Sequence, residues 1–496
     1  MFYVKVVIIG DGGREHALSL MISASSLNPR VYALSSYINP GIKKVAEGSG
    51  GRLVRCDILS PVDVISKVNE ISPDLIVVGP EEPQFHGVTD VLKEEGYAVF
   101  GATSKLAEIE KSKVFMRELM WKFKIPGRLA FKAFTSIDEA VEYLRNAGDV
   151  VLKPARQAGG KGVKVFADLQ AYLSDIKSEV REKYARKLVS EVMSNYRDIE
   201  YRLLVEERVD GVEYTLMTVT DGYDVVPMPL VQDHPHAFDM DLGPETGGMG
   251  SIQGPGLTLP FIELREFDES VYIVKEVLKA LQKVVNDRYV GALSGQMMLT
   301  PLWGPTVIEF YSRFGDPEVA NLIPVLDIDF LELIEAAVSS KLARIKLKVR
   351  DDIVTVVKAV CPKGYPNNRK VAKGHPVTVD EGRIRDYGCK VLYAGIELGG
   401  DGGIYTTGSR IVEVLCSGED YEEVSRRANK CAELITCSDG WPTFYRSDIG
   451  TRELIAERMD AAERVRAVYM YRRRNNLLTT KVDWIPGRGV TVYDYR

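Results

Sequence analysis

The chain has 496 residues, a net charge of −6 and a hydrophobic fraction of 45%. That length suggests roughly three or four domains. The balance argues against a dedicated nucleic-acid binder and fits a soluble globular protein. No apolar run reaches the roughly 18–20 residues that span a bilayer. The opening MFYVKVVIIGDGG reads as a strand entering a glycine turn, not as a signal peptide. The 6 cysteines (Cys56, Cys361, Cys389, Cys416, Cys431, Cys437) form no CxxC pair, and the 5 histidines no HxxxH pair. Reduced thiols, no zinc site and a cytoplasmic location are therefore expected.

Residues 1–106 read as a parallel βαβ domain. VKVVIIG (4–10), RVYALS (30–35), DLIVVGP (74–80) and AVFGA (98–102) are strand-like. REHALSLMIS (14–23), SPVDVISKVNEI and HGVTDVLKEEG have helical periodicity. Such sheets carry helices on both faces and bind ligands at the carboxyl ends of their strands. GDGGREH, INPG and GPEEP all fall at those ends. In 107–340, SKVFMRELMWKFKIPG reads as a helix stopped by Pro126, and SIDEAVEYLRNAG carries a capping box of Ser136 and Glu139. VVLKPA and GVKVFAD are strands joined by RQAGGK. RLLVEERV, VEYTLMTVTDG and DVVPMPLVQDH read as an antiparallel meander. LGPETGGMGSIQGPG (242–256) is rich enough in glycine to read as loop, and strands resume at ALSGQMMLTP and TVIEF. Residues 341–447 are mostly β, and 448–496 read as a helix with an irregular Arg/Tyr-rich tail. The fold class is α/β with α+β parts.

Several stretches carry chemistry. GDGGREHA is not a dinucleotide fingerprint, because GxGxxG needs glycine where Glu15 stands. It is either a phosphate site of backbone amides and Arg14 or a tight βα turn. In VVLKPARQAGGKGVKVF, Lys153 ends a strand, and Gly159, Gly160 and Gly162 permit close approach to phosphate. A Walker A loop would read GK[ST] and open a helix; this one opens a strand, so a glycine-rich hairpin over phosphates or a merely flexible hairpin are the readings. Glu206, Glu207 and Glu213 in LLVEERVDGVEYT suit an adenine and ribose site, or else a solvated strand edge. QDH and GPETGGMG supply carboxylates and an amide-rich loop. Gln296 and Glu309 lie on successive strands with hard oxygen donors for Mg²⁺. Arg313 suits a phosphate or carboxylate, or with Asp316 and Glu318 forms a surface ion-pair network.

Together, GDGGREHAL, GPEEP, FGATSKLAEIEKSK, LKPARQAGGKGV, VEERVDGVEYT, QDH, GPETGGMG and VIEFYSRFGDPE resemble, in order, the motifs of the phosphoribosylamine–glycine ligases (glycinamide ribonucleotide synthetases) of the ATP-grasp superfamily. The resemblance covers about residues 4 to 455, with GYP, AGIEL and RSDIG matching less distinctively. It implies an N-terminal βαβ domain, an ATP-grasp domain with a glycine-rich lid, and a β-rich C-terminal domain. The implied reaction joins glycine to 5-phosphoribosylamine with ATP through glycyl phosphate. The products are glycinamide ribonucleotide, ADP and phosphate, a step of de novo purine synthesis.

The resemblance also implies roles. Lys113, Lys153, Gly159, Gly160, Lys161 and Gly162 would meet ATP phosphates; Glu206, Glu207 and Val209 would border adenine, and Glu213 would hold ribose. Gly12, Gly13, Arg14, Glu15, Pro80, Glu81, Asp233, Thr246, Gly247, Gly248, Met249, Gly250, Arg313 and Asp316 would meet phosphoribosylamine and glycine. Arg313, Asp233 and Lys153 are the expected catalytic groups, and Gln296 and Glu309 the expected ligands of Mg²⁺ or Mn²⁺. The expected partners are these small molecules, with no nucleic acid or membrane, for a monomer or small homo-oligomer.

The chain departs from the family pattern in four places. IEFNxRFGDPE has a metal-binding asparagine where this chain has Tyr311. Asp11 replaces the asparagine of GNGGREH. KADGLAAGKG appears as KPARQAGGKG, with Arg156 and Gln157 substituted, and a tail extends past the usual end. Strand alternation keeps Glu309 and Tyr311 on one face, so the phenol is expected to project towards the metal and at most hydrogen-bond a water. Two other readings stay open: a ligase for another acid and amine, and a nucleotide-binding relative that has lost catalysis and works by interaction.

Overall fold

β1 (Lys5–Ile9) is apolar and buried from Val6 onward, as a strand covered on both faces must be. With β2 (Arg30–Ser35), β3 (Leu53–Arg55), β4 (Leu75–Val78) and β5 (Val99–Phe100) it forms a parallel sheet of order β3-β2-β1-β4-β5. Helices Gly13–Ser23, Pro40–Gly48, Pro61–Ile71 and Val88–Glu94 connect the strands, and periodicity predicts all of them but Pro40–Gly48. Local chemistry starts them. Asn39 accepts hydrogen bonds from the amides of Gly41 and Ile42, and Ser60 from that of Asp63, each with proline at the first helical position.

The computed structural model describes residues 4–146, 150–156, 163–165, 178–194, 202–478, 480–485 and 489–494. Its contacts separate two units. The first holds Met1–Ala107, Tyr214–Gln296 and Tyr311–Met459; the second holds Glu108–Glu213, Met297–Phe310 and Asp460–Arg496.

In the second unit, β6 (Phe131–Phe134), β7 (Val150–Pro154), β8 (Lys164–Val165) and β9 (Leu203–Glu207) form an antiparallel sheet of order β6-β9-β7-β8. The expected meander is corrected here. β9 is buried along its whole length and sits between β6 and β7 rather than opening a hairpin with the next strand. The VDG turn misleads because Gly211 is there for closeness: an added Cβ would run into the carbonyl of Leu299. Leu152 and Val205 from the sheet pack with Leu144 and Val189 from helices Ile137–Asn146 and Ser178–Ser194.

The chain continues through β10 (Val212–Thr220), β11 (Val225–Pro227), β12 (Val231–Asp233), β13 (His236–Phe238), β14 (Leu242–Glu245) and β15 (Gly250–Gln253). Next come β16 (Gly291–Thr300), β17 (Gly304–Tyr311), β18 (Val354–Pro362), β19 (Lys373–Val379) and β20 (Cys389–Tyr393). β21 (Ile396–Leu398), β22 (Ile404–Thr407), β23 (Val412–Gly418), β24 (Ile435–Cys437) and β25 (Thr443–Phe444) follow, and apart from β17, which lies in the second unit up to Phe310, these strands belong wholly or mainly to the first unit. Its large sheet runs β16-β10-β12-β15-β18-β23-β20, and β21-β22-β19-β24 form a smaller one. Residues 242–256, expected as loop, in fact include β15, buried between β12 and β18. Gly250 lies so near β18 that a Cβ would strike the carbonyl of Val357, so here glycine marks a crowded strand.

Two further expectations change. Cys389 and Cys416 stand opposite each other on β20 and β23 and form a disulfide, with Cα atoms 4.4 Å apart. The other four cysteines are buried free thiols. Spacing in sequence could not show this cross-strand register. The tail is not irregular: helix Arg452–Arg474 is followed by an antiparallel hairpin of β26 (Thr480–Ile485) and β27 (Gly489–Asp494). Tyr469, buried, closes over Gly304 at the start of β17, where any side chain would collide with its ring.

His16 ties the N-terminal sheet to β20. Its Nδ1 accepts the amide N–H of Tyr393 at 2.9 Å, and Gly41 leaves room for its ring. Burial lowers its pKa from 6.5 to about 4, and that of His234 to about 3. The unfolded chain therefore binds more protons below pH 6.5. Stability present above that pH should fall as pH drops towards 4, by about 3 kcal/mol from His16. Urea midpoints across this range should decline more steeply for the wild type than for His16→Gln; equal slopes would contradict it.

Candidate active site

The residues expected at the nucleotide begin with helix Lys113–Lys122, capped by Ser112, whose hydroxyl accepts from the amide of Phe115. Lys113 donates to Glu309 at 2.5 Å. One turn later stands Arg117, fully buried. Its Nε donates to Glu206 at 2.6 Å, and its two Nη atoms donate to the carbonyls of Val307 and Ile308 at 2.9 and 2.8 Å. Lys153 meets the other Glu206 oxygen at 2.9 Å. Burial raises the Glu206 carboxyl, but Arg117 and Lys153 outweigh it and pull its pKa down to about 2. Glu207 accepts from the amide of Ala130 at 2.8 Å. Thus Arg117 and Lys153 share Glu206, and Arg117 also holds the backbone of the strand just before Glu309, which pairs with Lys113. Val209 and Glu213 are half-buried beyond it. Gly159, Gly160, Lys161 and Gly162 lie outside the described residues.

The residues expected to meet phosphoribosylamine and glycine belong to the first unit. Glu15, where a dinucleotide fingerprint needs glycine, is a pin for this loop. Its Oε2 accepts from the amide of Gly12 at 2.7 Å, its Oε1 accepts from Arg14 at 2.6 Å, and side chains at Gly10 or Gly79 would collide with it. Arg313 donates to Glu81 at 3.2 Å, and Arg14 lies 3.8 Å from the same oxygen. Burial raises Glu81, yet Arg313 and Arg14 hold it below the usual carboxylate range. Both guanidiniums also donate to the carbonyl of Phe314, at 3.4 Å from Arg14 and 3.2 Å from Arg313. Pro80 precedes helix Glu81–Phe85 and sets its start.

Asp233 ends β12 against Gly248, where a Cβ would stand 2.7 Å from its Oδ1 and 2.7 Å from Pro317. Thr246 Oγ1 accepts from the amide of Gly248 at 3.0 Å and donates to the carbonyl of Pro235 at 2.8 Å, which folds the loop back on QDH. Met249 and Gly250 do not join this surface. The Met249 side chain is buried beside Cys361, and its backbone bonds His234 and Ala359. Gly250 is already strand.

Gln296 accepts from Thr215 Oγ1 at 2.8 Å. It belongs to the first unit, on β16; Glu309 belongs to the second, on β17. The ring of Tyr311 lies beneath the Arg313 guanidinium, 4.3 Å from its carbon to the ring centre. The aromatic therefore packs on the arginine of the RFGDPE turn.

Three residues packed against these candidate loops escaped the sequence. Arg410 donates to the carbonyls of Gly247, Gly248 and Asp316 at 2.7, 3.2 and 2.9 Å, and pairs with Asp316 Oδ2 at 2.9 Å. Tyr365 Oη accepts from the amide of Gly247 at 3.0 Å. Glu413, on β23, is buried against Gly13. For Arg410 and Tyr365 the sequence held no distinctive signal; for Glu413 the signal was a lone carboxylate inside the apolar run IVEVLC.

Family models for phosphoribosylglycinamide synthetase match the chain in three parts: the N domain over residues 4–110, the ATP-grasp (A) domain over 111–319 and the C domain over 354–452. A phosphoribosylamine–glycine ligase of Methanocaldococcus jannaschii is 38% identical over 469 residues, covering 93% of this chain and 100% of the relative. The chain belongs to the phosphoribosylglycinamide synthetase family. Another member of the family, from Methanobrevibacter smithii, is 35% identical over 458 residues, 92% of this chain and 98% of its own. The crystal structure of the phosphoribosylamine–glycine ligase of Thermotoga maritima superposes with a TM-score of 0.69 at 26% identity, covering 90% of this chain and 100% of that one. The α/β architecture with an ATP-grasp part is therefore the family's.

Proposed function

We propose that this chain is a phosphoribosylamine–glycine ligase. It joins glycine to 5-phosphoribosylamine with ATP, through glycyl phosphate, and releases glycinamide ribonucleotide, ADP and phosphate, a step of de novo purine synthesis. The observation that carries the reading is the end-to-end match to ligases of that name, with the lysine and arginine networks on the family's motifs. We assign residues 1–106 to the phosphoribosylamine side, 107–340 to the ATP-grasp domain, 341–447 to the C-terminal domain and 448–496 to an added tail. No described helix is long and apolar enough to cross a membrane. Cytoplasmic location, a monomer or small homo-oligomer and independence from nucleic acid complete the proposal.

Phosphoryl transfer asks mainly for positioning and charge stabilisation. Lys113 and Lys153, each held by a carboxylate, are the cations for ATP phosphates, joined by Gly159, Gly160, Lys161 and Gly162. Glu206, Glu207 and Val209 border adenine, the carboxylate of Glu206 serving chiefly to fix Lys153, and Glu213 accepts from ribose hydroxyls. Arg313 and Asp233 orient the glycine carboxylate and the transferring group. Gly12, Gly13, Arg14, Glu81 and Asp316 take the sugar phosphate, with Glu15 and Pro80 shaping the loops. In the GPETGGMG loop, Thr246, Gly247 and Gly248 face substrate, while Met249 and Gly250 anchor it.

Glu309 and Gln296 offer hard oxygens that suit Mg²⁺ or Mn²⁺, which when bound would neutralise phosphate charge. Tyr311 packs on Arg313 rather than supplying a ligand. Tyr311→Asn is expected to lower the Mg²⁺ concentration for half-maximal rate severalfold and to loosen Arg313; an unchanged metal requirement would contradict this. Mass spectrometry of a complete reaction should show glycinamide ribonucleotide, with glycine preferred over alanine and serine. Preference for another amino acid would favour a different ligase.

A further inference from the structure

Glu413 sits on β23 with Ala359 of β18 and Leu392 of β20 as its strand neighbours. It is fully buried, and its carboxyl lies flat against Gly13, where a Cβ would stand 2.7 Å from both oxygens. No donor from another residue meets either oxygen; the side chain within hydrogen-bonding reach is that of Asp316, and the nearest cation, Arg410, is 3.8 Å away. Asp316 is the complement. Its Oδ2 is held by Arg410 at 2.9 Å and stands 3.8 Å from the Cβ position of Gly12, while its Oδ1 is buried and meets no donor when both carboxyls are ionised. Two carboxyls thus share one arginine behind the glycine loop.

A buried carboxylate with no donor facing it and another anion beside it takes up a proton. The groups around Glu413 are Asp316, Glu318, Arg410 and Cys361. Burial and Asp316 raise its pKa far above the usual range against the pull of Arg410; burial also raises Asp316, but Arg410 and Glu413 bring it down. The proton therefore belongs on Glu413.

Resting on the proposed function, we propose that Glu413 is a positioning residue: as a neutral acid it donates to Asp316, and with Arg410 it fixes the Asp316 carboxylate as an acceptor at Gly12 and Gly13 for the amine or hydroxyl hydrogens of a sugar phosphate. No general base is assigned to Glu413. Its task is to keep one anion, not two, behind the loop. When it ionises, the pair repels and Asp316 loses its fixed place.

Glu413→Gln keeps a donor of the same shape and cannot ionise; Glu413→Ala keeps neither. Steady-state kinetics of the full chain with chemically generated phosphoribosylamine, from pH 7 to 10, should separate them. Glu413→Gln should keep kcat/KM for phosphoribosylamine within about threefold at pH 7.5 and lose the alkaline fall of the wild type. Glu413→Ala should raise that KM by about tenfold, the scale of one charge-assisted hydrogen bond, with KM for ATP unchanged. If Gln and Ala variants lose equally, or all three share one pH profile, the proposal is overturned. Infrared difference spectra of wild type minus Glu413→Gln at pH 8 should show the carbonyl stretch of a neutral carboxylic acid. Its absence would overturn the proposal whether or not the protein turns over, whereas a silent wild type with the band present would count against the ligase reading alone.

Discussion

Arg117→Met is expected to destabilise the second unit by about 3–5 kcal/mol, the usual cost of removing one partner of a buried ion pair. Arg117 is fully buried and makes three directed hydrogen bonds, to Glu206, Val307 and Ile308. Methionine fills similar volume but leaves two carbonyls unsatisfied and Glu206 with Lys153 as its remaining cation. Burial then weighs more heavily on the Glu206 carboxyl, and its pKa rises. Arg117→Lys should recover little, since a single ammonium cannot reproduce the planar fork. The double change Arg117→Met with Glu206→Leu should be less damaging than the single one, because the stranded charge is gone. Urea unfolding measures this directly; a loss below about 1 kcal/mol, the level of an exposed pair, would show that the arginine is not structural. A second readout is ATP affinity, which should weaken because Lys153 loses its fixed partner and the strand bearing Glu309 loses two backbone anchors.

Glu309→Gln is expected to lower kcat by about 10²-fold or more, the scale of losing one preorganised stabiliser of transition-state charge. The substitution is nearly isosteric, so the fold should be kept. It removes the anion that pairs with Lys113 at 2.5 Å and replaces the charged donor of the proposed metal pair by a neutral amide oxygen. The loss should therefore be partly relieved by raising Mg²⁺ or Mn²⁺, whereas a Lys113→Met loss should not be. Titration of rate against metal for both variants makes the comparison. Equal, metal-independent losses would place Glu309 in an ion pair only.

Much of this was legible in the sequence. β1, β2 and β4 follow from their apolar runs, and the Glu309 strand from TVIEF. What stayed hidden depends on register or on long-range pairing. Nothing in IVEVLC says that Glu413 meets Gly13, residues 400 positions earlier, or that Cys389 faces Cys416. Glycine was read as looseness at 250 and as a hairpin turn at 211, yet both mark crowding, which only the neighbouring strand reveals. Glu15 shows the reverse case. As an exception to GxGxxG it looked like a missing signal, and it proves to be the pin that shapes the loop. Tyr311 was read for where its oxygen would point, whereas its ring is engaged by Arg313. Strand alternation assigns a face; it does not assign a partner on that face.

The most direct test is ADP release by the full chain with ATP, Mg²⁺, glycine and chemically generated phosphoribosylamine, omitting each in turn. The ligase reading predicts sustained ADP formation only in the complete mixture, matched by phosphate and glycinamide ribonucleotide in equal amounts. ADP release that ignores glycine or phosphoribosylamine, or none from folded, ATP-binding protein with either metal, would contradict it.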